Sequence, residues 1–117
     1  NIIMKQQTLA IDFDGTLCKK QSFKDGFITE IPNEGARDAL WAMQKEGYKI
    51  VIFSTRLNPK MRREGDISQH NEITNWLIKH DIPYDELSEF KPSAVAYIDD
   101  RAVRFTDWND MKNLFVQ

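Results

Sequence analysis

The sequence has one cysteine, Cys18, and only two histidines, His70 and His80. A lone thiol excludes an intramolecular disulfide, and a reducing cytoplasm is the expected setting. It also excludes the clustered Cys and His sets that hold structural zinc. No apolar run approaches the about 20 residues that cross a bilayer. Nothing resembles a signal peptide, so no membrane partner is expected. An excess of positive charge is lacking too. The net charge is −2 and the pI about 5.7, which disfavours a globally basic nucleic-acid binder and leaves local basic patches only. Repeats, linkers and low-complexity tracts are absent, so the 117 residues are expected to form a single domain, 1–117. With 41% apolar and 29% charged residues, the chain can bury one modest core.

What is present is organised around Leu9-Ala10-Ile11-Asp12-Phe13-Asp14-Gly15-Thr16-Leu17. Thr8 to Phe13 reads as a buried strand that ends in a Gly-Thr turn. In an extended chain, residues i and i+2 point the same way. Asp12 and Asp14 are therefore expected to converge at the carboxyl edge, where an open α/β sheet places its ligands. Two carboxylates that close repel each other. A cation between them, or a division of chemical roles, would justify the pair.

Gly15 to Ile31 reads as a turn followed by a loop or small hairpin, long enough to be functional. Cys18 reads as a small buried thiol, because no histidine is near it in sequence. Pro32-Asn33-Glu34 opens a helix with Asn33 as N-cap. Ala36, Ala39, Leu40 and Met43 form its inner stripe, Gly47 stops it, and Trp41 covers the flanking loop. Tyr48 to Phe53 holds four consecutive apolar residues, the mark of a strand buried on both faces. It ends in Ser54-Thr55-Arg56, whose hydroxyls and guanidinium suit an oxyanion. Lys60, Arg62 and Arg63 follow, either as a solvated loop or as a rim for a phosphorylated substrate.

Asp66 is expected to cap a second helix, with Ile67, His70, Ile73, Trp76 and Leu77 inward. His70 and His80 are read as packing or surface residues. Ile82 to Leu87 is a short strand, placed at an edge by Pro83. Ala94 to Ile98 reads as another buried strand, ending in Asp99-Asp100-Arg101. Val103 to Leu114 forms a last helix anchored by Phe105, Trp108, Met111 and Leu114, with Asp107 and Asp110 on its wet face. Strands alternating with helices predict an α/β fold, a mainly parallel sheet with helices on both faces. Such a sheet gathers Asp12/Asp14, Ser54/Thr55/Arg56 and Asp99/Asp100 on one edge.

Several carboxylates without paired histidines or cysteines select a hard cation such as Mg²⁺. Hydroxyl and ammonium donors beside them match a phosphoryl group, with Lys91 offsetting charge and Ser54 donating a hydrogen bond. One carboxylate of the Asp12/Asp14 pair would attack phosphorus, and the other would move the proton.

In motif order, Asp12-Phe13-Asp14-Gly15-Thr16-Leu17, then strand-Ser54-Thr55-Arg56, then Lys91-Pro92, then Tyr97-Ile98-Asp99-Asp100, the chain resembles the haloacid dehalogenase superfamily. The resemblance covers nearly the whole chain. It implies a three-layer Rossmann-like fold, with Gly15 to Ile31 as the turn and flap after the first strand. It implies Asp12 as nucleophile and Asp14 as general acid/base. It implies Ser54 as the phosphate-binding hydroxyl and Lys91 as the lysine that steadies the phosphoryl group. With the residues' own chemistry, this makes Ser54, Thr55, Arg56 and Lys91 the expected substrate-binding residues. Mg²⁺ would be held by the Asp12 carboxylate, the Asp14 backbone carbonyl and Asp99, assisted by Asp100.

An aspartate at position 14 resembles phosphatases and phosphotransferases rather than dehalogenases. The intervals between motifs are filled by ordinary elements, so the chain resembles a capless member. An open site implies a large phosphorylated substrate, such as a nucleic-acid end, or a second copy or other partner acting as cap. Ile98-Asp99-Asp100-Arg101 with a following helical Trp is similar to the phosphatase domain of bacteriophage-type polynucleotide kinase. The expected function is thus a Mg²⁺-dependent phosphohydrolase acting on a phosphate monoester. The alternatives are a phosphotransferase, a polynucleotide 3′-phosphatase-like enzyme, and an inactive phosphate- or metal-binding module. A receiver domain fits less well, because Ser54 rather than an aspartate ends the second strand.

Overall fold

The computed structural model describes residues 6–21, 26–61 and 68–116. Among them run β1 (Thr8–Asp12), α1 (Ala36–Lys45), β2 (Lys49–Phe53), α2 (Gln69–Lys79), β3 (Glu86–Ser88), β4 (Ala96–Ile98) and α3 (Trp108–Phe115). The strands form one sheet in the order β3-β2-β1-β4, and every pairing is parallel. This is a small Rossmann-like α/β architecture with no cap inserted among the described residues.

The central strands follow from their composition. Ala10, Ile11, Ile50 and Ile52 are at most 1% exposed, as expected of apolar runs covered on both faces. Leu9, Ile11, Phe13, Ile50 and Ile52 join Leu40 of α1 and Ile73, Trp76 and Leu77 of α2 in one core cluster. The steps from β1 to β2 and from β2 to β3 run in one direction across the sheet. Right-handed crossovers therefore set α1 and α2 over the same face. Phe13 meets Trp76 edge-on, with ring centroids 4.9 Å apart, so the residue between the two key aspartates is a core anchor. The return from β3 to β4 is made without a helix, and the Tyr97 hydroxyl holds it by donating to Pro92 O at 2.8 Å.

Several local expectations are corrected. Gly35, not Asn33, is the N-cap of α1; the Asn33 side chain instead donates to Thr16 O at 2.9 Å. Ala39 faces solvent, whereas Leu40 is buried. Ser68 caps α2 by accepting from the Asn71 N–H; Asp66, Ile67, Arg62 and Arg63 lie outside the described residues. His70 is exposed, and Gln69 takes the buried position beside it. Strand β4 is a three-residue edge strand, largely exposed, rather than a buried one.

Helix α3 begins later than expected, at Trp108, with Asp107 as its cap. None of its residues is buried, and Trp108 is 79% exposed. Phe105 and Trp108 pack on each other, with centroids 5.3 Å apart, instead of anchoring in the core. Leu114 is exposed and Met111 half-buried. No helix among the described residues is long and apolar enough to cross a membrane.

Candidate functional site

A parallel sheet carries all its carboxyl ends on one edge. Here that edge opens into a cavity of about 590 Å³ lined by Asp12, Asp14, Ser54, Thr55, Arg56, Lys91 and Asp99. Asp100 borders it through Asp12 and Thr16. Lys20, Gln21, Phe53, Glu89 and Arg101 complete the lining. The edge therefore brings together residues from four separate stretches of chain, as the motif order predicted.

Asp12, Asp99 and Asp100 form the tightest group. Each offers one oxygen, and these atoms lie within 4.8 Å of one another. Burial first, and then the charges of Asp99 and Asp100, push the Asp12 carboxyl up to about 6, against an opposing hydrogen bond from the Phe13 backbone. Asp100 moves the other way. Desolvation is the largest single influence and raises it, but the Thr16 hydroxyl, its own backbone N–H, Lys20 and Asp12 together hold it below the ordinary range. Thr16 Oγ1 donates to Asp100 Oδ1 at 3.2 Å and accepts from the Asp100 N–H at 3.1 Å.

Gly15 makes this approach feasible. Its φ is 90°, and a Cβ there would stand 2.6 Å from Asp100 Oδ2. Three crowded carboxylate oxygens fit a hard divalent cation, which would relieve the repulsion that raises Asp12. The structure thus contains an acidic group able to bind a metal ion.

Asp14 lies beyond the end of β1, so the strand's alternation no longer governs it. Its carboxylate turns away from the acidic group and meets Arg56, whose Nε donates to Oδ2 at 2.7 Å and Nη2 to Oδ1 at 3.1 Å. Arg56 lines the cavity but is 4% exposed, and the guanidinium expected to face a substrate is engaged by Asp14. Ser54 ends β2 in extended conformation and is buried, and its Oγ accepts from the Arg56 N–H at 3.1 Å. A hydroxyl that accepts one bond keeps its own proton to donate. Thr55 is exposed at the cavity wall. Lys91 also lines the cavity, with its ammonium 4.5 Å from the Tyr97 ring centroid.

Cys18 is buried, and its thiol is pushed up to about 12 by burial and then by the Asp14 charge. That is an inert thiol, as its sequence context suggested. The flap that follows is closed at its base by an isolated antiparallel bridge between Cys18 and Pro32, and its described residues are further tied down by side chains. Trp76 Nε1 donates to Glu30 O at 2.8 Å, and Glu72 Oε1 accepts from the Ile28 N–H at 3.0 Å. Lys60 is exposed and outside the cavity lining.

Sequence reading missed Lys20, Gln21, Gln69, Glu89 and Arg101. Arg101 stood next to a motif and was open to notice. The two glutamines carry no local signal, since their partners lie far along the chain.

No family model matches the chain, and neither does any curated protein. Among solved structures it is similar to a structural-genomics target from Vibrio cholerae, with a TM-score of 0.57 and 29% identity over 94% of this chain and 97% of that one. It is also similar to a chain in the structure of a Pnkp1/Rnl/Hen1 complex, with a TM-score of 0.52 and 19% identity over 98% of this chain and 37% of that one. Both likenesses support the α/β fold.

Proposed function

We propose that the chain is a Mg²⁺-dependent phosphohydrolase that cleaves a phosphate monoester through an aspartyl-phosphate on Asp12. The observation that carries this reading is the half-buried Asp12 beside Asp99 and Asp100, in a cavity that also holds a hydroxyl, a lysine and a second aspartate. Asp12 attacks phosphorus as the ester P–O bond breaks. Asp14 gives the leaving oxygen a proton, then takes one from the water that attacks the acyl phosphate. That second attack breaks the bond to Asp12 and releases inorganic phosphate. Ser54 and Lys91 hold the phosphoryl oxygens. A divalent cation held by Asp12, Asp99 and Asp100 would offset phosphoryl charge and keep Asp12 ionised.

The cavity is open, and Lys20, Lys91 and Arg101 are exposed around it. Cations at a wide mouth favour an ester whose leaving group carries further anionic charge. The test is release of phosphate from an aryl phosphate with and without Mg²⁺, beside Asp12→Asn. A panel of nucleotides, sugar phosphates and 3′-phosphorylated oligonucleotides then follows. Metal-dependent release that Asp12→Asn abolishes supports the reading. Release that survives Asp12→Asn rejects it.

A further inference from the structure

The Arg56 side chain is only 3% exposed, yet it sits at the strand end where a phosphate-binding guanidinium was expected. Each of its nitrogens is engaged. Nε and Nη2 form the bidentate fork on Asp14. Nη1 donates to Gln69 Oε1 at 3.1 Å, at the start of α2. Gln69 is itself buried, and its Nε2 donates to Gly26 O at 2.9 Å. From the flap side, Gln21 Nε2 donates to Asp14 Oδ1 at 3.2 Å. The other end of Gln21 is fixed, its Oε1 accepting from the N–H groups of Thr29 at 2.8 Å and Glu30 at 3.0 Å. Asp14 is thus held from two directions, by side chains that are themselves anchored to α2 and to the flap.

We propose that Arg56 is a positioning residue for Asp14, held in place by Gln69, and makes no contact with the phosphoryl group. The inference rests on the reading of Asp14 as the group that protonates the leaving oxygen. Arg56 forms part of the cavity wall, but a guanidinium committed at every nitrogen and nearly free of solvent contact is turned to its protein partners rather than to a ligand. A carboxylate gripped through both oxygens keeps one orientation, and proton transfer depends on that orientation. Through Gln21 and Gln69, the seating of the flap and of α2 is coupled to Asp14.

The experiment measures hydrolysis of aryl phosphates with graded leaving groups by the wild-type chain, Arg56→Lys, Gln69→Ala and Gln69→Glu. Positioning predicts that Arg56→Lys lowers kcat on phenyl phosphate by about 10²-fold, within the range for a misplaced general acid. On dinitrophenyl phosphate the initial burst of phenolate release falls several-fold at most, since that leaving group needs little protonation, whereas the turnover that follows falls with the water attack that Asp14 also serves. KM rises on neither ester. Gln69→Ala gives a weaker form of the same pattern, and Gln69→Glu, which keeps an acceptor for Nη1, recovers part of the rate. A direct phosphate contact predicts instead a rise in KM on every ester alike, and that result overturns the proposal alone. Absence of metal-dependent hydrolysis in the wild type rejects the phosphohydrolase reading and this inference with it.

A second readout needs no turnover. The Arg56 Nε–H resonance, identified by its loss in Arg56→Lys, should move in Asp14→Asn. It should stay in place when inorganic phosphate shifts the Ser54 amide. Movement with phosphate, or none in Asp14→Asn, overturns the proposal.

Discussion

Replacing Asp12 by asparagine should stabilise the fold while destroying the proposed activity. The Asp12 carboxyl moves from 3.8 to about 6 on folding, mainly through burial and then through the charges of Asp99 and Asp100. A carboxyl raised in this way contributes fully below the unfolded value, and its contribution is lost as pH rises through about 6. At neutral pH the ionised Asp12 is therefore a liability. Two pK units at about 1.4 kcal/mol each set a ceiling of about 3 kcal/mol. Solvent at the open mouth screens part of this, leaving about 1–2 kcal/mol.

An asparagine keeps an oxygen for the Phe13 N–H and nearly the same volume, so no cavity offsets the gain. Urea unfolding in chelator at about pH 7.5 should give Asp12→Asn a higher midpoint with an unchanged slope. Near pH 4 the two proteins should agree within about 0.5 kcal/mol. Mg²⁺ should then stabilise the wild type and narrow the gap, since a ligand of the native state adds stability. An asparagine variant that is no more stable than the wild type in chelator at neutral pH refutes the repulsion argument.

Gly15→Ala should be strained at a φ of 90° and drive a methyl against Asp100; we expect about 1–3 kcal/mol of destabilisation by thermal melt, with weaker Mg²⁺ binding by calorimetry. Trp76→Ala, which removes a core anchor against Phe13, should cost about 3–5 kcal/mol in denaturant unfolding. Trp108→Ala, at 79% exposure, should change stability by less than about 0.5 kcal/mol, and a large loss there would mean that α3 buries its stripe in solution. Lys91→Ala should lower kcat on aryl phosphates by about 10²-fold in steady-state assays, as loss of an oxyanion donor does.

The central strands were legible because β-branched runs leave little choice. Four apolar residues in a row at Ile50 to Phe53 can only be buried on both faces. The site was legible because strand ends in a parallel sheet must share an edge. What was not legible depended on partners distant in sequence. The Asp14–Arg56 pair spans 42 residues, and no periodicity announces it. The i, i+2 rule placed Asp12 correctly on β1 but lost force at Asp14, where the strand has ended.

Caps failed for a local reason. Asn33 and Asp66 have the right chemistry, but Gly35 and Ser68 stand nearer to where the helices begin. Phe105 and Trp108 shared a face as their spacing promised, yet spacing says nothing about what that face meets.

The decisive measurement is of the covalent step on Asp12. The chain would be incubated with Mg²⁺ and an aryl phosphate, quenched in acid, digested, and analysed by mass spectrometry. The expected result is an acid-stable, hydroxylamine-labile phosphoryl adduct on the peptide bearing Asp12, absent from Asp12→Asn and without metal. Turnover with no adduct on Asp12, or an adduct on another residue, would contradict it.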